Sequence, residues 1–455
     1  MRIERWLGLW VMVAAVAATT LPGNAQAQGW LEDRQRTEGP GFRIGDFELH
    51  PGLGVEIGYD SNLYYADDDA TRPAVDSGIL RATAHLMFAT RGQQRRQEGE
   101  SSGGGEGTTA GQPSVTFRGG VAGSFYTFFN DIDRSNMELD ASLALNILPG
   151  RPFSVSLTEQ FGRSIRPFAE NFAPVSYARI QNDAGVAFNF NTTGQVLQIS
   201  AGYNFRLDFF EDELFQYGNR FQHVISLKET FRFLPQTALI HDTSFIVLDY
   251  FGPAGGSSLV NDGFLLRSRI GLNGAFTREF SVLATVGYAA GFYSGTATYE
   301  QEYESVAAQV EARWQISEQS RLTFGYDRDF QPSFVGNFYR RDRGYAAFQT
   351  VVDGSFLLGL DASFGYYEFG AIVEPDGMTP VGSSVQRGDY RLIGSVFGEY
   401  RFTNWLGLNA TLRYTGSFTD YEYEVDDPSP GTPPSFLDPA GFNKFEAWLG
   451  VRVFY

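Results

Sequence analysis

The residues able to do chemistry are few, and their spacing argues against catalysis. The four histidines, His50, His85, His223 and His241, are scattered along the chain, with no HExxH, GxSxG or phosphate-binding glycine loop. His241 and Asp242 are the one adjacent pair worth naming as imidazole and acid. On an extended strand neighbouring side chains point to opposite faces, so the pair is not expected to act together. Cysteine is absent, which removes thiolate metal centres, iron–sulfur clusters and disulfides at once. Asp67-Asp68-Asp69, Glu211-Asp212-Glu213 and Asp426-Asp427 could hold Ca²⁺ or Mg²⁺ and so bridge to lipopolysaccharide. None has EF-hand or RTX spacing, so Asp67, Asp68 and Asp69 are weak calcium candidates and solvated acidic loops are the expectation. No catalytic residue, cofactor or enzymatic activity is expected.

A second population of charged residues is more regular. Arg81, Glu138, Asp140, Arg206, Asp208, Arg267, Arg269, Glu311, Arg313, Arg321, Asp327, Asp329, Arg391, Glu399, Arg401 and Arg413 each stand in opposite phase to an apolar series on the same stretch. Both signs occur in similar amounts. Rings of one sign would give strong ion selectivity; this mixture predicts paired charges, weak selectivity, or a wall that hydrogen-bonds a hydrated polymer. The basic members are all arginine, which suits bidentate pairing between neighbouring strands. Cross-strand ion pairs that stiffen the wall are the plainer role for any one of them.

The elements that carry these residues follow from the alternation itself. Met137, Leu139, Ala141, Leu143, Leu145 and Ile147 interleave with Asn136, Glu138, Asp140, Ser142 and Asn146, one face apolar and the other wet. Such runs recur from residue 46 to the end of the chain, about eighteen in all and long enough to cross a bilayer at a tilt. Their joints alternate between tight turns, such as Pro149-Gly150-Arg151, Pro235-Gln236, Glu318-Gln319, Asp353-Gly354 and Thr403-Asn404, and longer loops. A transmembrane antiparallel β-barrel with both termini in the periplasm has that phase; a soluble sandwich has no reason to keep it. Two irregular joints, the long low-complexity stretch 92–113, read as a disordered periplasmic loop, and the short one near Asn130, leave sixteen strands as the alternative count.

Composition narrows the class. Aromatic residues make up 15%, with 41 Phe and 23 Tyr, yet mean hydropathy is only −0.22, because polar residues fall at every second position. A net charge of −18 excludes a nucleic-acid partner. Met1-Arg2-Ile3-Glu4-Arg5, the apolar run from Trp6 to Ala18 and the small-residue site Ala25-Gln26-Ala27 form a secretory signal, with residues 1–27 removed and 28–45 a short periplasmic tail. After that signal no apolar stretch is long enough for a membrane helix. A barrel of this size is too wide for side chains to fill, so the interior is a channel or is plugged, and no N-terminal domain is present to plug it.

The last strand ends in Trp448-Leu449-Gly450-Val451-Arg452-Val453-Phe454-Tyr455. This resembles the C-terminal signal read by the outer-membrane assembly machinery, a glycine followed by hydrophobic residues three and five places on, here Gly450, Val453 and Tyr455. Trp448 stands where a polar residue is usual. The first strand ends in Gly58-Tyr59-Asp60-Ser61-Asn62-Leu63-Tyr64, which resembles the opening of β-barrel porins encoded with bacterial exopolysaccharide and capsule gene clusters. The resemblance implies an outer-membrane channel that passes a polysaccharide handed over by a periplasmic export protein. Read without it, the residues describe a wide barrel with a polar interior, which favours a general diffusion porin for small hydrophilic solutes, with an adhesive barrel acting through acidic outer loops as the second alternative.

Overall fold

The computed structural model describes residues 41–67, 74–90, 114–166, 178–252, 260–294, 302–373, 380–425 and 436–455. Within them the alternating segments become eighteen strands of one closed antiparallel sheet. In chain order these are β1 (Phe47–Asp60), β2 (Ser77–Thr90), β3 (Val115–Phe128), β4 (Asn136–Ile147), β5 (Phe153–Ser164) and β6 (Arg179–Asn191). Then come β7 (Leu197–Phe210), β8 (Arg220–Leu234), β9 (Thr237–Tyr250), β10 (Gly263–Ala275), β11 (Phe280–Tyr293) and β12 (Tyr303–Ser317). The last are β13 (Ser320–Pro332), β14 (Phe338–Val352), β15 (Phe356–Phe369), β16 (Gly388–Arg401), β17 (Leu406–Phe418) and β18 (Phe442–Phe454). Each pairs with its sequence neighbours, and β18 also pairs with β1, from Gly52 opposite Phe454 to Asp60 opposite Glu446. Closure leaves no unpaired edge, the condition for a sheet to live in lipid.

The two faces differ as alternation requires. Leu53, Val55, Ile57, Leu449, Val451 and Val453 are exposed on the outside of the closing strands, while Glu56, Asp60, Arg81 and Arg452 are buried on the inside. One end of the barrel has tight hairpins. Asp353 and Gly354 both take positive φ (49° and 65°), the pair of left-handed residues that matches the twist of a two-residue turn. At the other end the connections are longer, and among the described residues Glu213–Gly218 forms a 3₁₀ segment and Glu422–Val425 pairs with Phe436–Pro439.

Within the stretch 28–45 read from sequence as a short tail, Phe42–Ile44 forms a short strand that folds back on Phe47–Leu49. The count is the expected eighteen, with β2 and β3 paired from Ile79 opposite Phe128 to Ala89 opposite Arg118 despite the long joint between them. The signal peptide, the stretch 92–113, Asp68, Asp69 and the Asp426-Asp427 pair lie outside the described residues.

Candidate functional site

The interior is built from charges that face one another across strands. At the closing seam Glu56 on β1 lies opposite Arg81 on β2, whose Nε donates to Glu56 Oε2 at 2.7 Å. Arg81 also lies 4.5 Å from the Trp448 ring. That stacking explains an aromatic residue where the C-terminal signal is usually polar, since Trp448 points inward and covers a buried guanidinium. On its other side Glu56 accepts from Asn409 Nδ2 at 2.7 Å, reaching over Gly450. A Cβ at Gly450 would stand 2.2 Å from Glu56 Cγ. Nearer the long loops, Lys444 donates to Asp60 and to the Asn62 carbonyl, while Asn62 donates to the Asn443 carbonyl at 2.9 Å. The Asp60-Ser61-Asn62 turn therefore fastens the first strand to the last.

The remaining wall repeats the theme. Asp327 accepts from Arg341 Nε and Arg343 Nε at 2.9 Å each. Arg267 pairs with Asp329 at 3.2 Å, and Arg269 with Asp242 at 3.9 Å. Glu311 holds Arg313 and the Tyr345 hydroxyl at 2.7 Å each, and Arg321 donates to Gln349 at 2.9 Å. Arg206 binds Asp183, and Asp208 accepts from Arg220 at 3.0 Å. Glu138 accepts from Arg166 at 3.0 Å, and Glu399 from Arg401 at 2.9 Å. Arg391 donates to Asp389 at 2.8 Å. Asp140 is buried on the same face, and Arg413 stands opposite Glu446.

All sixteen charged residues singled out by phase thus sit on the inner face. Sequence reasoning passed over Glu56, Asp60, Asp183, Arg341, Asp389 and Lys444, although the same phase marks them. Of the assembly-signal residues, Gly450 faces inward, Val453 faces outward, and the Tyr455 ring lies 4.4 Å from Phe42.

At the long-loop end, loops from distant strands meet over the lumen. Phe210 and Phe215, from the β7–β8 connection, pack against Phe334 from the β13–β14 loop, with Phe210 and Phe334 edge to face at 5.1 Å. Val335, Phe369, Ile372, Tyr421 and Tyr423 form a second buried cluster beside it. Arginines are layered among the rings: Arg220 is 4.1 Å from Phe334, Arg391 is 4.5 Å from Tyr367, and Arg387 is 4.6 Å from Phe369. Arg387 also makes a fork to Asp389 at 2.8 and 2.7 Å. Burial pushes the Tyr421 hydroxyl up to about 12, with nearby Arg387 working in the opposite direction, so it stays protonated at neutral pH.

The histidines do not gather. His50 and His85 are buried on the inner face, whereas His223 points outward and bonds the Tyr203 hydroxyl at 2.8 Å. Asp242 points inward while His241 bonds Glu229 on the preceding strand, so that adjacent pair is split as strand geometry demands. Among the described residues no group of three His, Asp or Glu side chains is arranged for a metal. Glu211 is bound to Arg163 at 2.6 Å.

No family model matches the chain, and no curated protein sequence does. Solved structures do resemble it in architecture. The FrpB iron transporter of Neisseria meningitidis superposes with a TM-score of 0.46 at 9% identity, over 95% of this chain and 83% of that one. OccK2 (OpdF) of Pseudomonas aeruginosa gives 0.43 at 10% identity, over 89% and 98%. The siderophore receptor PirA of the same organism gives 0.40 at 11% identity, over 91% and 81%. At this level of likeness nothing about cargo passes to this chain.

Proposed function

We propose that this chain is an outer-membrane channel that passes a hydrated polysaccharide, with its tight hairpins and both termini in the periplasm. The observation that carries the reading is the arginine and aromatic layering at the long-loop mouth, set above a lumen whose charges are already paired. With the packed loops parted, these rings would offer flat apolar faces to sugar rings, and guanidinium and carboxylate groups planar hydrogen-bonding partners to hydroxyls. Paired charges keep the wall polar without trapping an ion, so a neutral or weakly charged polymer can move along it. The packed loops over the mouth favour a channel that opens on demand over a permanently open diffusion pore. The C-terminal strand suits delivery by the outer-membrane assembly machinery, the acidic loops suit contact with lipopolysaccharide through divalent ions, and the polymer would arrive through a periplasmic export protein.

Deletion of the gene, with cell-bound and shed polysaccharide measured, tests this directly, and single-channel conductance of the purified barrel is the companion measurement. Loss of surface polymer with small or intermittent conductance is the expected result. Unchanged polymer with large steady conductance leaves a diffusion porin in its place, and unchanged polymer with negligible conductance leaves an adhesive barrel.

A further inference from the structure

The outer wall carries a polar constellation that a lipid-facing surface does not need. Outside-facing positions around it are Leu227, Phe231, Leu239, Phe245, Ile270 and Leu272, all exposed as wall residues. Among them Glu229 on β8 lies opposite His241 on β9, and Thr243 on β9 lies opposite Ser268 on β10. Glu229 Oε2 is 2.9 Å from His241 Nδ1, and His241 Nε2 is 3.2 Å from Ser268 Oγ. Thr243 Oγ1 is 3.0 Å from the same Nε2 and 2.8 Å from Ser268 Oγ. Ionisable groups on a lipid-facing wall are disfavoured, so four polar side chains joined to one another there ask for a role.

From this geometry we infer that the outer wall of the barrel holds a serine acyl-hydrolase site for membrane phospholipids. A hydroxyl, an imidazole and a carboxylate joined in that order through opposite ring nitrogens are the elements of an activated serine, recognised by geometry rather than by sequence order. His241 stands four residues from the turn end of β9, roughly 10 Å along the barrel axis for a tilted strand. At that level the surrounding aliphatic and phenyl side chains would lie along the acyl chains of a phospholipid, whose ester has to come within reach of Ser268.

The chemistry balances without a metal or a redox partner. Ser268 Oγ attacks the ester carbonyl carbon while its proton passes to His241 Nε2, and Glu229 holds the Nδ1 proton. The Thr243 hydroxyl is placed to donate to the oxyanion. The ester C–O bond breaks, and the glycerol oxygen takes the proton from Nε2 and leaves as a lysophospholipid. Water then adds to the acyl carbon, giving its proton to Nε2; fatty acid departs and Ser268 recovers its proton. Ser268, His241 and Thr243 touch the reacting atoms, whereas Glu229 is a positioning residue.

This inference rests on the membrane placement of the barrel and not on its cargo. The test uses the full chain in detergent mixed micelles with palmitoyl-oleoyl phosphatidylethanolamine, scoring fatty-acid release and, by mass spectrometry, covalent labelling with a fluorophosphonate. Wild type is expected to release fatty acid and to carry the label on Ser268. S268A and H241A should lose release by roughly 100-fold or more, T243V should lower kcat with KM unchanged, and E229D should recover activity that E229A loses. Conductance of S268A should equal wild type, which separates this site from the channel. No label on Ser268, or release by S268A equal to wild type, overturns the proposal whatever becomes of the channel.

Discussion

Glu56 and Asn409, 353 positions apart in sequence, share a 2.7 Å hydrogen bond across the glycine of the last strand. Register places Glu56 opposite Gly450 and Gly450 opposite Asn409, so three strands are tied by one contact that exists only because the middle residue has no side chain. The glycine of the assembly signal therefore has a second duty in the finished barrel. It lets the buried Glu56 reach a partner on β17 while holding Arg81 on β2.

The first prediction concerns that seam. G450A places a methyl group into Glu56 and should destabilise the barrel by about 1–3 kcal/mol, the cost of overpacking. E56A should cost more, about 3–5 kcal/mol, because it strands Arg81 without its buried counter-charge. Urea unfolding in lipid vesicles gives both numbers, and equal stability of G450A and wild type would remove the seam argument.

Lys444 and Asp60 offer an independent check at the other end of the same seam. K444M should lower the midpoint of the heat-dependent shift on SDS gels, since it takes the counter-charge from the buried Asp60, which keeps its bond from the Asn62 amide at 2.9 Å. The double variant K444M/D60N should regain part of the loss. If the double variant is the less stable by the sum of the single effects, the two side chains are not coupled.

At the mouth, F334A removes the ring that meets both Phe210 and Arg220. The expected outcome is a higher and steadier conductance in planar bilayers, accompanied by a fall in stability of about 3–5 kcal/mol for a buried Phe truncation. Conductance identical to wild type would mean that the packed loops do not obstruct the pathway.

Inside the lumen, D327N leaves Arg341 and Arg343 facing a neutral amide. The pore then gains one positive charge at that level, so the reversal potential in a KCl gradient should move toward chloride. A shift toward potassium, or none, would place Asp327 off the ion pathway.

Much of this was legible in the residues. Alternation such as that from Met137 to Ile147 is local, so it assigned strands and faces, and it put Arg81, Asp327 and Arg391 on the wet side before any contact was known. Turn chemistry did the same for the joint at Asp353-Gly354, where two left-handed residues leave the chain one option. Strand phase also parted His241 from Asp242, correctly.

By itself, then, the sequence determined the strands, the polarity of each face and the positions of the tight turns, because these depend on neighbours one to four residues apart. Only the tertiary structure decided what each inward charge meets, how Gly450 brings Glu56 to Asn409, which loops cover the mouth, and that Glu229, His241 and Ser268 converge on the outer wall. Those relationships depend on the register of strands side by side in the sheet and on its final closure. Register is set by the whole circle of pairings at once, and no short stretch of chain contains it.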